Sequence, residues 1–276
     1  MNANNGRELN PQNYLSLLSK QKYQKNSLRY FIELSYNGAG YHGWQNQPDA
    51  ISVQEVIEKG LSLLLRKPMP IVGAGRTDTG VHASQMFAHF DFEDEVDSLQ
   101  LTYKLNAFLP KDIAIDRIFR VRDDAHARFD ALSREYLYRI ALKKNVFAYD
   151  YAFYVKQNLD SAVMNEAAKQ LFNYRDFQCF SRSNTDVKTY NCDIMKAEWI
   201  VKDNELQFII KADRFLRNMV RAIVGTMVNI GLGKTSLEEF HDIIQSKNRS
   251  KAGFSVPGHA LYLTAVEYPK DILDYE

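Results

Sequence analysis

The order in which hydrophobic periods follow one another constrains this chain more than any other feature, because it spells one string of elements twice. Leu28, Tyr30, Ile32, Leu34 and Tyr36 alternate with other residues up to the turn dipeptide Asn37-Gly38, the pattern of a strand. Ser52 and Glu55 make a capping-box signature ahead of a helical face of Val56, Ile57, Leu61 and Leu64, and Pro68 ends it. A strand near Met69–Gly73, an alternating strand through Met86, Ala88, Phe90 and Phe92, a helix over Ser98–Phe108 and a strand over Ile113–Val121 complete the order β-α-β-β-α-β. The second half gives nearly the same order: a strand over Tyr136–Leu142, a helix over Asp160–Phe172, strands over Asp193–Val201 and Leu206–Ala212, a long helix over Arg214–Ile230 and a strand over Leu261–Val266. One extra helix, Ser236–Gln245, precedes the last strand. The expected class is α+β: two ferredoxin-like halves, 28–128 and 129–276, with antiparallel sheets joined around a central cleft. Residues 1–27 are polar and weakly patterned, and are expected to form a flexible tail with a short helix near Tyr14–Lys20.

Composition excludes some classes. Two cysteines, Cys179 and Cys192, are too few for a disulfide framework or a cysteine-based zinc site, so a reducing, cytoplasmic setting is expected. The N-terminus has no signal-peptide h-region, and the most apolar long stretch, Phe215–Leu232, is interrupted by Arg217 and Arg221, so no membrane span is expected. Net charge is only +1, but it is segregated. Arg117 to Lys144 holds eight basic residues against four acidic ones, and Lys211 to Arg221 holds four against Asp213, while Asp91–Asp97 carries five acids and no base. That distribution suits a basic groove on a neutral protein as well as it suits solvated loops.

Three features point to chemistry. The stretch GAGRTDTGVHA, Gly73–Ala83, sets one carboxylate, Asp78, among Gly73, Gly75, Gly80, Arg76, Thr77 and His82. A turn or cap explains a lone Asp but not this crowd of functional groups, and Arg76 could pair with the acid or with a phosphate. Along Arg214–Ile230 apolar residues cover nearly the whole circumference, yet the helix carries Arg221. A guanidinium there either snorkels to solvent or needs an anion opposite; Asp213, over ~10 Å away along the axis, is too far, and Asp78 is the attractive partner. In REYLYRI, Arg134–Ile140, strand alternation puts Tyr136, Tyr138 and Ile140 on one face, where Tyr136 is either ordinary core or a ring on which a flipped base stacks.

Taken together, YNGAGYHGWQNQP (36–48), SVQEVIEKGL (52–61), GRTDTGVHA (75–83), FDALSREYLYRI (129–140), FLRNMVRAIVG (215–225) and GHALYL (258–263) resemble the tRNA pseudouridine synthases of type A over most of the chain. The resemblance implies that Asp78 is the catalytic carboxylate, Tyr136 the base-stacking tyrosine and Arg221 the partner of Asp78. Arg76, with Thr77 and His82 beside it, would contact substrate. It further implies isomerisation of uridine in the anticodon stem-loop of tRNA, at positions 38, 39 and 40, with no cofactor and no metal, by a homodimer. The sequence departs from the family pattern at Val256 and Ala260, where a small-Pro start and a Gly would be expected. Two other classes fit part of the pattern. A non-catalytic RNA-binding module would explain the basic strips and the aromatic strand, though not a buried Arg facing a glycine-loop Asp. A metal-dependent hydrolase could use Asp78 with His82 and His89, but no H-E-x-x-H spacing or acid-rich ligand loop accompanies them.

Overall fold

A computed structural model describes residues 27–182 and 187–274; the helix expected near Tyr14–Lys20 lies outside them. The first half runs β1 (Leu28–Tyr36), α1 (Val53–Leu65), β2 (Val72–Gly73), β3 (His82–Phe92), α2 (Ser98–Phe108) and β4 (Ile113–Arg120). The second runs β5 (Ser133–Ala141), β6 (Phe153–Tyr154), α3 (Ser161–Gln170), β7 (Ile194–Lys202), β8 (Glu205–Ala212), α4 (Met219–Gly231), α5 (Leu237–Gln245), β9 (Leu261–Glu267) and a short α6 (Lys270–Leu273). Among the described residues no helix is long and apolar enough to cross a membrane.

The strands form one continuous mixed sheet, ordered β4-β1-β3-β9-β5-β8-β7, with β2 on β3 and β6 on β5, within the expected α+β class. The joint is β9. It lies antiparallel to β5 on one side and meets the start of β3 in parallel on the other, pairing His82 with Tyr262 and Ala83 with Leu263. A period-2 pattern fixes which face a strand buries but not which neighbour it takes, and an unpaired edge of β3 at the centre of the molecule would leave backbone groups unsatisfied.

Two apolar clusters cover the sheet. Ile32 and Leu34 pack with Ile57 and Leu61 of α1 and Leu101 and Leu105 of α2, while Tyr138, Ile140, Phe208 and Ile210 pack with Met164, Ile223, Val224 and Met227. Each fully buried aliphatic of this size contributes roughly 1.5–3 kcal/mol. The first cluster is completed by Leu263, Val266, Tyr268 and Ile272 from the end of the chain, and Tyr136 packs against both clusters.

Two local expectations are corrected. Ser52 does cap α1 by accepting from Glu55 N, but the Glu55 carboxylate pairs with Lys59 instead of reaching back. The full capping box belongs to α5, between Ser236 and Glu239. The long helix starts at Met219 and not at Arg214, because Asn218 adopts the left-handed conformation (φ 67°) and its amide donates to Ser255 Oγ at 2.7 Å. Residues 214–218 therefore form a loop in front of α4.

Candidate active site

Asp78 sits in the connection between β2 and β3. Ala74 N bonds to Phe87 O, and the chain then turns over Asp78–Val81, with Val81 N donating to Asp78 O at 3.2 Å. Of the three glycines in the stretch, only Gly80 has a positive φ, 76°, at the third position of that turn. Other segments hold the loop from behind. Trp44 N donates to Thr77 O, Gly80 N donates to Tyr41 O, and Thr77 Oγ1 shares a 2.9 Å hydrogen bond with Tyr36 OH. Gly43 (φ 92°) and Gly258 press their backbones so close that a Cβ on either would overlap the carbonyl oxygens of Thr77 and Thr79 respectively.

Arg221, in the first turn of α4, donates from Nη1 to Asp78 Oδ2 at 2.9 Å across 143 residues of sequence. Its Nε donates to Val256 O at 2.7 Å, and Val256 N returns a bond to Arg221 O, so the guanidinium is fixed at two points. Both side chains are about a quarter exposed (22% and 24%), so the pair is reached by solvent and not sealed in the core. Among the described residues Arg221 is the only hydrogen-bond partner of the Asp78 carboxylate, so Oδ1 is unengaged.

Tyr136 is half-buried, its ring edge-on to Phe215 at 5.2 Å. Burial pushes its phenol up to about 12, with the Asp78 carboxylate adding to the rise and Arg134 opposing it. Tyr36 is buried and raised as well, chiefly by burial. Tyr36, Thr77, Asp78, Tyr136 and Arg221 thus form one cluster between the two halves of the sheet. Arg76 is exposed and, among the described residues, makes no ion pair or hydrogen bond.

The two histidines of the stretch's strand sit apart from this cluster. His82, expected to touch substrate, is 3% exposed: Nδ1 accepts from Gly38 N at 3.1 Å, Nε2 lies 2.9 Å from His259 O, and the ring stacks on Tyr262. Its nitrogens are used in joining β3 to its neighbours, so none is left for a ligand. His89 is buried as well, and its Nδ1 accepts from Ala127 N, so the neutral ring carries its proton on Nε2 and neither nitrogen presents a free lone pair. Thr77 likewise turns its hydroxyl inward to Tyr36.

The basic strip over 117–144 is largely neutralised. Arg117, Arg120, Arg122 and Arg139 pair with Glu33, Asp123, Asp271 and Glu205, and Arg134 donates to four backbone carbonyls. Arg214 and Arg217, flanking Phe215 in the loop before α4, make no ion pair among the described residues. Tyr36 and Val256 escaped the sequence reasoning. Alternation gives Tyr36 only a place on a strand, and a backbone carbonyl such as that of Val256 has no letter in a sequence.

A family model described as tRNA pseudouridine synthase matches residues 167–269, the span that holds Arg221 and Val256. The chain is 52% identical over 249 residues to tRNA pseudouridine synthase A of Parabacteroides distasonis, covering 90% of this chain and 99% of that one. It is 53% identical over 248 residues to the Bacteroides fragilis protein of the same name (89% and 98%) and 38% identical over 245 residues to that of Bacillus subtilis (87% and 99%).

Proposed function

Because the chain belongs to the tRNA pseudouridine synthase A family, and so is an isomerase, we propose that it converts uridine to pseudouridine in the anticodon stem-loop of tRNA, at positions 38, 39 and 40, with Asp78 as its one catalytic carboxylate. The observation that carries this reading is the Asp78–Arg221 pair, held in a loop braced by two other backbone segments. The reaction breaks the bond from uracil N1 to C1′, turns the base and joins C5 to C1′, with the C5 proton lost and N1 gaining one, so there is no net redox change. A single carboxylate acting at the sugar suffices. Arg221 holds Oδ2, which leaves Oδ1 to act at the sugar.

Tyr136, edge-braced by Phe215, offers its ring to the flipped base. The unpaired cations Arg76, Arg214 and Arg217 hold phosphates around it and keep the nucleotide out of its stack. We read the two halves, 28–128 and 129–276, as ferredoxin-like units, a reading supported by their strand orders β4-β1-β3-β2 and β9-β5-β8-β7. The working unit is a homodimer in which a second copy supports the tRNA body, since one subunit with net charge +1 has a small electrostatic footprint. A cytoplasmic setting suits the two free cysteines, both buried, whose thiols burial pushes up to about 12.

The test is incubation with unmodified tRNA followed by mapping of pseudouridine, beside Asp78→Asn. The wild type should modify the stem-loop, and the variant should bind tRNA without turnover. Appreciable turnover by Asp78→Asn would sink the mechanism, and binding without turnover by the wild type would leave an RNA-binding module.

A further inference from the structure

We propose that the arm over residues 142–156, between β5 and α3, is a second RNA-binding surface that grips unpaired nucleotides of the substrate beyond the one that reacts; it rests on the tRNA reading above. The arm displays apolar side chains that its own folding does not use. Phe147 is 90% exposed, Tyr149 77% and Val146 73%. The arm's base is instead held by a small cluster of Ala141, Ala148 and Ala152, and by backbone bonds from Ala152 N to Ala148 O and from Val155 N to Ala141 O. Val146 and Phe147 line a cavity of about 370 Å³ together with Lys143, Lys144 and Glu205. That volume lies at the lower end of the ~300–1,000 Å³ typical of sites for small organic groups.

Charge identifies the partner. Lys143, Lys144 and Lys156 are exposed, and among the described residues none has an ion pair, in contrast to the arginines of the preceding strip. Asp150 is the only acid in the arm. Exposed rings beside unpaired cations are satisfied together by a polyanion that carries flat apolar faces, which describes single-stranded nucleic acid.

Position ties the arm to the reaction. Tyr151 OH accepts from Asn37, Tyr151 O accepts from Tyr262 OH, and the Tyr151 ring lies 5.7 Å from His82. His82 is four residues past Asp78, so it is at most about 14 Å from it along the chain. On the other side Phe153 stands edge-on to Phe254, two residues before the Val256 carbonyl that holds Arg221. RNA with one nucleotide at Asp78 therefore has its neighbours within reach of the arm.

The experiment measures unmodified-tRNA affinity against salt in the full chain carrying Asp78→Asn. Adding Phe147→Ala should weaken binding about tenfold, the effect of removing one stacking ring. Adding Lys143→Ala with Lys144→Ala should flatten the slope of log affinity against log salt by about 1.4, for two single-strand phosphate contacts. Leu99→Ala, a comparably exposed apolar residue on α2, is the control and should leave affinity where it was. Equal affinity and slope in the arm variants and the parent overturn the proposal alone, whereas a parent that does not bind tRNA overturns the tRNA reading and this one with it. A Phe147→Ala chain whose sedimentation changes from that of the parent makes the arm a protein interface and also overturns it.

Discussion

Arg221 performs two tasks with one planar group, bonding Asp78 through Nη1 and the Val256 carbonyl through Nε. A lysine offers a point charge and cannot span both partners. Arg221→Lys should therefore keep the charge and lower single-turnover rate on tRNA by ~100-fold, the scale of a 1 Å misplacement. Wild-type rate in that variant would reduce Arg221 to a packing residue. Tyr136 is tested by its chemistry. Tyr136→Phe keeps the ring and should retain tRNA affinity, while Tyr136→Ala should lose ~1–3 kcal/mol of it, read by filter binding. Equal and negligible effects would return it to the core. The Asp78–Arg221 pair was legible across 143 residues because a guanidinium on an apolar helix demands an anion. The inward turns of His82 and Thr77 were not, since a polar letter does not say whether its partner is a ligand or the chain's own backbone.

Among the elements, the backbone at Gly258 and the turn at Gly43 brace the Asp78 loop by close approach. Gly43→Ala adds a Cβ against Thr77 O in a backbone conformation that disfavours it, and should cost roughly 1–3 kcal/mol in urea unfolding as well as lowering turnover. Unchanged stability would mean the loop can retreat. On α5 the reciprocal bonds of Ser236 and Glu239 predict a loss of ~1 kcal/mol for Ser236→Ala, seen as a lower Tm. The type and order of the longer strands and helices could be read from period and caps, whereas the two-residue β6 and the four-residue α6 are too short to show a period. The start of α4 could not, because a single Asn in the left-handed region ends helical geometry without disturbing the apolar pattern around it. Nor could the pairing of β9 with β3 that makes one sheet of the two halves, since a strand's letters do not name its neighbour.

For the whole molecule, acidity is the expected weak point. His89 is buried, its Nδ1 accepts a hydrogen bond from Ala127 N, and burial, with Arg29 and His126 nearby, holds it down at about 4 from an ordinary 6.5. His82, which ties β3 to Gly38 and His259, is lowered too, chiefly by burial. A histidine whose folded value is depressed contributes stability that is complete above the unfolded value and is lost as pH falls. Urea midpoints should therefore hold above about pH 6.5 and decline toward pH 4. His89→Gln should flatten that decline, and a midpoint that stays level over this window would refute the assignment. The central place of β9 carries a different consequence, one for biosynthesis. Leu263, Val266, Tyr268 and Ile272 complete the first half's apolar cluster, yet they leave the ribosome more than a hundred residues after β4, on the order of ten seconds at ~5–20 residues per second. The nascent first half must wait in an unfinished state, with β3 lacking its neighbour, and a chain released early by a stalled ribosome carries Asp78 without the strand that seats it.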